Sequence, residues 1–185
     1  MAGEGRCMGG KRVVRRKIST NDDYMDKLNK LARACNYTPA EFAMKIICAA
    51  LDSPPFVHSI QKKYTREGRL WVSIQRGENG KADYKIETGY EFVRQVRSIR
   101  KDRYLNFQRD KRLSISLSNE YDKKMGLLVT SLACKKAELA ALILHFSLDS
   151  DQIVMQLQDI YCVQNHLRVT PLVVNGEVSY VYLSA

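Results

Sequence analysis

The sequence repeats itself with a shift of 97 residues, and this internal repeat limits the possible folds more than any other feature of the chain. Identical residues recur in the same order in both repeats over about 75 positions. After a gap of one residue, the dipeptide Asn79-Gly80 recurs as Asn175-Gly176. The matched residues of the first repeat are Arg15, Ile18, Ser19, Tyr24, Leu31, Ala40, Glu41, Ile46, Leu51, Asp52, Tyr64, Leu70 and Val72. Such a chain is expected to build one structural unit twice.

Each repeat begins with a short segment in which polar and apolar residues alternate, at residues 12–19 and 111–118. Alternation with a period of two predicts a strand that has one polar face and one apolar face. In the second repeat the apolar face is expected to consist of Leu113, Ile115 and Leu117. The polar faces are expected to consist of Arg15, Lys17 and Ser19 in the first repeat and of Arg112, Ser114 and Ser116 in the second.

Two helices are predicted after each strand. In the first repeat, residues 20–23 combine capping side chains with acidic groups that suit a helix N-terminus, and residues 36–37 are expected to end that helix. Residues 38–41 have the pattern of a capping box with proline at the first helical position, whereas the second repeat has two lysines at 135–136. The apolar faces are expected at Tyr24, Leu28, Leu31, Cys35, Phe42, Ile46, Ile47 and Leu51, and at Tyr121, Met125, Leu128, Leu132, Leu139, Ile143, Leu144 and Leu148.

The end of each repeat predicts a β-hairpin, because Asn-Gly is a strong signal for a two-residue turn. A basic stretch at residues 88–109 joins the repeats, and its sequence is compatible with a helix from about Gly89 onward. The expected segments are a flexible tail (1–11), a first strand–helix–helix unit (12–53), a first hairpin extension (54–87), the basic linker (88–109), a second unit (110–150) and a second hairpin extension (151–185).

Positive charge is concentrated in one part of the chain. Residues 1–109 hold 23 basic and 12 acidic side chains, whereas residues 110–185 hold 7 and 8, and the whole chain has a formal net charge of +10. A one-sided basic excess is typical of proteins that bind a polyanion, most often nucleic acid.

Several classes of protein are not expected from this sequence. No apolar run approaches the roughly 18 residues of a membrane span, and residues 1–10 lack the apolar core of a secretory signal. The five scattered cysteines include no C-x-x-C pair, which indicates neither a disulfide framework nor a zinc site. No catalytic set is recognisable, so we expect a non-enzyme without cofactor or metal. The expected location is the cytoplasm, in association with the nucleoid. The histidines His58, His145 and His166 are interpreted as structural.

The succession of strand, helix, turn and helix over about 40 residues resembles the ribbon-helix-helix DNA-binding superfamily, to which Arc, MetJ and CopG belong. Segment 111–118 is the closer match, and both copies together cover about 80 of the 185 residues. The resemblance implies an α+β fold in which two copies pair their strands as an antiparallel ribbon. Since both copies lie on one chain, it implies a tandem ribbon-helix-helix pseudo-dimer, each copy followed by a β-hairpin. A unit of about 40 residues buries too little apolar surface to fold alone, so pairing would supply a shared core. Because both units lie on one chain, each is present at a high effective concentration for the other.

The resemblance also implies which residues contact DNA. The ribbon would enter the major groove with its polar face, and the N-terminus of each second helix would hold a phosphate through backbone N–H groups. The base-reading residues would be Arg15, Lys17, Ser19, Arg112, Ser114 and Ser116. The phosphate-binding residues would be Thr38, Pro39, Ala40, Lys135, Lys136 and Ala137, together with Lys11 and Arg12.

The sequence therefore predicts a sequence-specific double-stranded DNA-binding protein, a transcriptional regulator such as a repressor of a bacterium, plasmid or phage. Self-association on DNA is compatible with this prediction. One alternative is an accessory DNA-binding protein of the relaxosome or partition type, whose hairpins dock a partner protein. A second alternative is RNA binding, with Trp71, Tyr84, Tyr180 and Tyr182 stacking on bases, although a role in a small second core is the preferred interpretation of these aromatic residues. No membrane partner is expected.

Overall fold

A computed structural model of the chain describes residues 13–64, 70–77, 82–89 and 98–183. This part of the chain contains six α-helices and three two-stranded antiparallel sheets, which is an α+β fold. The first repeat supplies β1 (Val13–Thr20), α1 (Asp22–Ala34), α2 (Pro39–Leu51), α3 (Pro54–Tyr64), β2 (Leu70–Arg76) and β3 (Ala82–Thr88). The second repeat supplies β4 (Lys111–Ser118), α4 (Asn119–Leu132), α5 (Lys136–Leu148), α6 (Asp151–Tyr161), β5 (Val169–Val174) and β6 (Glu177–Tyr182).

The ends of α1 and α2 follow from local sequence signals, as predicted. Asn21 caps α1, since its side chain accepts a hydrogen bond from the backbone N–H of Tyr24 at 3.0 Å. After α1 the chain reverses through Asn36, whose φ of 57° lies in the left-handed region that asparagine tolerates. Thr38 and Glu41 form the predicted capping box at the start of α2, with Pro39 as its first residue.

Each repeat contains a third helix that was not expected from its sequence. Segments 54–87 and 151–185 were expected to hold only a hairpin, but they begin with α3 and α6. Pro54 starts α3, where its fixed φ suits the first turn of a helix. The buried residues of α3 are Val57, Ile60, Gln61 and Tyr64, which lie on one helical face. The extension is therefore a helix and a hairpin, not a hairpin alone.

The linker also differs from the expectation of a basic helix. Residues 90–97 lie outside the described part of the chain, and Gly89 before them has a φ of 95°. From residue 98 to residue 109 the chain forms turns and a short 3₁₀ segment, Ile99–Lys101. Ile99, Tyr104 and Leu105 are buried in the common core. The apolar residues of this segment decide its conformation, because burying them outweighs any helical preference of the basic residues between them.

The core of the molecule is shared between the two repeats. Ile18 of β1 and Leu113, Ile115 and Leu117 of β4 are buried on the inner side of the β1–β4 sheet. Strand β1 packs on α5, strand β4 packs on α2, and α2 packs on α5. Each strand therefore covers the second helix of the other repeat, and each buried leucine or isoleucine stabilises the joint fold by about 1.5–3 kcal/mol.

The hairpins hold the two repeats together. Hairpin β2–β3 packs on α4, and hairpin β5–β6 packs on α1, so each contacts the first helix of the other repeat. A glutamine of the third helix fixes each hairpin: Gln61 exchanges two hydrogen bonds with the peptide of Val72 (2.9 and 2.7 Å), and Gln158 does the same with Val169 (2.8 and 2.7 Å). The predicted turn at Asn175-Gly176 is confirmed by φ angles of 53° and 83°, whereas Asn79-Gly80 lies outside the described residues.

Candidate nucleic-acid interface

Strands β1 and β4 form an antiparallel ribbon, as the resemblance described above implied. The ribbon aligns eight pairs of residues, from Val13 opposite Ser118 to Thr20 opposite Lys111. Within it the six polar residues expected to read bases lie directly opposite one another. The three pairs are Arg15 with Ser116, Lys17 with Ser114, and Ser19 with Arg112.

These six residues form one surface, which we call the outward face. Five of them are exposed and Ser19 is partly exposed, while Ile18, Leu113, Ile115 and Leu117 on the opposite side are buried. The separation follows from the pleat of the strand, which sends neighbouring side chains to opposite sides. Side chains of directly opposed residues lie only about 5 Å apart at Cβ. The outward face is therefore a compact polar strip with three cationic groups, on Arg15, Lys17 and Arg112.

Arg16 lies opposite the buried Ile115, on the inner side of the ribbon, and is not part of the outward face. It is partly buried and its guanidinium contacts Asp122 of α4 at 2.6 and 2.8 Å. Burial alone would raise the pKa of Asp122, but the hydrogen bonds and charges of Lys136 and Arg16 lower it below its ordinary value. Asp122 therefore stays ionised and connects the middle of β1 to α4 and α5.

The lysines predicted to bind phosphate have different surroundings. Lys135 is exposed directly before α5. The ammonium group of Lys136 instead lies 2.7 Å from the carboxylate of Asp122 and 2.9 Å from its carbonyl oxygen. Lys136 is therefore part of the ion-pair network behind the ribbon, and Lys135 is the better placed of the two to meet a phosphate.

The N-termini of α2 and α5 each hold a carboxylate from their own helix. Glu41 accepts a hydrogen bond from the backbone N–H of Thr38 at 3.0 Å, and Glu138 accepts one from Lys135 at 2.8 Å. Glu138 also pairs with Arg100 at 3.0 Å. Pro39 has no N–H group, so the first turn of α2 offers one donor fewer than that of α5. A phosphate would thus find more backbone donors at residues 136–138 than at residues 39–41.

Lys11 and Arg12, also predicted to contact phosphates, lie outside the described residues, as do Arg94 and Arg97 of the linker.

Two buried lysines connect the repeats beneath the ribbon, and the sequence analysis did not identify them. The ammonium of Lys27 lies 3.0 Å from Asp149, which also accepts a hydrogen bond from Tyr24 at 2.9 Å. At the equivalent positions of the other repeat, Lys124 lies 2.7 Å from Asp52, and Tyr121 donates a hydrogen bond to the same carboxylate at 2.6 Å. Only 4% and 6% of the two lysine side chains are exposed. The repeat could have indicated these lysines, because Lys27 and Lys124 occupy matching positions in the two repeats.

His145 is buried in the core, as the structural interpretation of the histidines requires. Its Nδ1 lies 2.8 Å from the carbonyl oxygen of Tyr104, its Nε2 lies 3.0 Å from the hydroxyl of Thr20, and its ring stacks on Tyr24. Burial lowers the pKa of His145 to about 4, so the imidazole is neutral at pH 7. It fixes the end of β1 and the linker against α5, away from the outward face.

Three of the four aromatic residues considered for base stacking are buried or donate a hydrogen bond to a backbone carbonyl oxygen. Trp71 and Tyr180 are buried, and the hydroxyls of Tyr84 and Tyr180 donate to the carbonyl oxygens of Leu51 and Leu148 at 2.5 and 2.6 Å. Tyr182 is exposed. The preferred interpretation, a small second core between the hairpins, is wrong for Tyr180, which is buried in the common core of the two repeats, while Trp71 is buried as expected.

Among the residues that the structure describes, no cluster of three or more histidine, cysteine, aspartate or glutamate side chains has an arrangement suited to a metal ion. Within the same residues, none of the helices has the length and apolar character needed to cross a membrane. Comparison with known proteins adds no assignment, since no protein-family model, no curated protein and no solved structure matches this chain.

Proposed function

We propose that the chain is a tandem ribbon-helix-helix pseudo-dimer that binds double-stranded DNA sequence-specifically, as a transcriptional regulator. The single observation that carries this proposal is the outward face of the ribbon. Six polar residues lie in register on the exposed side of two paired strands, while the apolar residues between them are buried. A two-stranded ribbon has the width to enter the major groove, where each base pair presents a distinct set of donors and acceptors.

The chemistry of the outward face suits base recognition. An arginine can donate two hydrogen bonds to guanine, and serine can donate to or accept from any base. Arg15 and Arg112 have no ion-pair partner among the described residues, in contrast to Arg16 behind them. Their charge is thus available to DNA. The net charge of +10 supports attraction to the phosphate backbone in addition.

The shared core supports the pseudo-dimer. In a homodimer the same contacts would join two chains, and their stability would depend on protein concentration. Here β1 packs on α5 and β4 on α2 within one chain, and Lys27 and Lys124 connect the repeats reciprocally. A DNA-reading ribbon would therefore be preformed in a single molecule.

A selection of bound duplexes from a random DNA library tests the proposed function. We expect the full chain to enrich one motif and a variant with Arg15, Lys17 and Arg112 all changed to alanine to enrich none. Since all three side chains are exposed, this variant should keep its circular dichroism spectrum and its unfolding midpoint. Enrichment of the same motif by both proteins would show that the outward face does not read DNA.

The second hairpin favours one further candidate function, an accessory protein that assembles on DNA. Leu172, Val174 and Val181 project from the side of the hairpin that faces away from the core, and each is at least 41% exposed. The matching positions of the first hairpin hold Gln75, Gly77 and Lys85. Among the described residues of the two equivalent hairpins, this exposed apolar side occurs on the second, and such a patch is typical of a protein contact.

We propose that this apolar side docks a partner protein, and a second copy of the chain bound alongside on DNA is the partner that can be tested with the chain alone. The replacement of Leu172 by Gln and Val181 by Lys, which copies the first hairpin, would leave binding to a single site unchanged. It would abolish cooperative binding to a duplex with two adjacent sites, as measured by titration. Unchanged cooperativity would contradict the assembly function and leave sequence-specific binding intact.

A further inference from the structure

The register of the ribbon combines with the internal repeat to define an approximate twofold axis. Lys17 lies opposite Ser114, which is its own counterpart in the second repeat. Arg15 lies opposite Ser116, the counterpart of Ser19, and Ser19 lies opposite Arg112, the counterpart of Arg15. The twofold axis of the ribbon therefore passes through the pair Lys17–Ser114.

The two ends of the outward face are chemically identical under this axis. Each end presents one arginine opposite one serine. Among these six residues, the difference between the repeats is confined to the centre, where a long cationic side chain faces a short hydroxyl. Both central residues are exposed, so neither is held in place by the core.

We propose that Lys17 and Ser114 are the specificity-determining pair that makes the DNA site asymmetric. This inference rests on the proposed function. It predicts a site whose two outer parts are inverted copies of each other, because identical readers related by a twofold axis select identical half-sites. The asymmetry that these six residues read is then confined to the central base pairs.

The chemistry of the central pair supports this role. The lysine ammonium is a donor only and favours the two acceptors of guanine, whereas the shorter serine hydroxyl either donates or accepts. Exchange of the two residues would thus be equivalent to rotating the ribbon by half a turn on its site. Two other differences between the repeats, at Pro39 and Lys136, belong to helix starts, where contacts would involve phosphates that carry no sequence information.

The exchange variant, Lys17→Ser with Ser114→Lys, provides the decisive test by selection from a random DNA library. We expect it to enrich the same motif as the unchanged chain, because it would bind the same site in the opposite orientation. The single variant Lys17→Ser has two identical ends and a symmetric centre. It should enrich the same outer parts, and its preference at the central base pairs should fall roughly tenfold.

Three outcomes of the selection are separable. If the exchange variant enriches a motif with a changed centre or changed outer parts, the twofold assignment is wrong. If Lys17→Ser keeps the full asymmetry of the original motif, Lys17 does not set it. If the unchanged chain itself enriches no motif, the proposed DNA-binding function fails, and the inference about its central pair fails with it.

Discussion

At the scale of single residues, Arg15 and Arg112 have the same role at the two ends of the ribbon. Both are exposed, and the repeat places them in equivalent positions. Replacement of either by alanine should weaken binding to the selected site by about 1–3 kcal/mol, with the loss at one outer base pair for Arg15 and at its inverted copy for Arg112. Fluorescence anisotropy with single-base variants of the site measures both effects.

Arg33 provides the control for this comparison. It is an exposed arginine in the last turn of α1, so Arg33→Ala removes the same charge at a distance from the ribbon. We expect the Arg33 variant to discriminate between bases as the unchanged chain does. If Arg15→Ala also discriminated normally, Arg15 would contribute only general charge.

His145 makes the stability of the fold dependent on pH. Its pKa is about 4 in the folded chain, below the usual 6.5, because burial disfavours the charged imidazole. As the pH falls below 6.5, His145 is protonated in the unfolded chain but stays neutral in the folded chain. The free energy of unfolding therefore has its full value above pH 6.5 and decreases between pH 6.5 and about pH 4. From pH 7 to pH 5 this effect should lower the free energy of unfolding by about 2 kcal/mol.

Urea unfolding of two histidine variants checks this prediction. His145→Gln should be less stable at pH 7 but should lose less stability between pH 7 and pH 5 than the unchanged chain. His166→Gln alters an exposed histidine and should keep the original pH dependence. Equal pH dependence in all three proteins would rule out His145 as its source.

At the scale of elements, the sequence predicted the ribbon and the first two helices of each repeat but not the third helix. The predicted elements have clear local signals: period-two alternation that is most regular in β4, and a capping box at α2. For α3 and α6 the signal was present in a weaker form. Val57, Gln61 and Tyr64 recur as Val154, Gln158 and Tyr161, and spacings of four and three residues are typical of one helical face.

The site could be predicted from the sequence only in part. Alternation alone determined which residues of β1 and β4 face outward, because the pleat leaves no other arrangement. By contrast, the ion pair between Lys136 and Asp122 depends on how α4 and α5 pack against each other. The register of the ribbon likewise depends on the shared core, since no local feature of β1 selects Ser114 as the partner of Lys17.

The glutamines of the third helices should be essential for the attachment of the hairpins. Gln158 is 1% exposed and satisfies both the N–H and the carbonyl oxygen of Val169. Gln158→Leu should lower the free energy of unfolding by about 2–4 kcal/mol, because it leaves two buried peptide groups without partners. The same change at the exposed Gln156 of α6 is the control, and denaturant unfolding gives both values. Similar losses in the two variants would contradict this role of Gln158.

At the scale of the whole molecule, the two repeats are interdependent. The strand of each repeat covers the second helix of the other, and each hairpin contacts the first helix of the other repeat. The linker adds a further connection, since Asp102 accepts a hydrogen bond from Lys63 at 2.9 Å while Tyr104 binds His145. Neither repeat keeps a complete core when the other is removed. Cooperative unfolding of the chain as one unit follows from this arrangement.

Division of the chain after residue 97 tests this interdependence. Residues 1–97 and 98–185 should each lack a folded monomer at low micromolar concentration, because each exposes the apolar side of its strand and second helix. When mixed, the fragments should form a one-to-one complex with the circular dichroism spectrum of the intact chain. Self-pairing of the first fragment is disfavoured because it would place Lys17 opposite another Lys17. A folded monomer of either fragment, detected by sedimentation and a cooperative urea transition, would contradict a shared core and the preformed ribbon that depends on it.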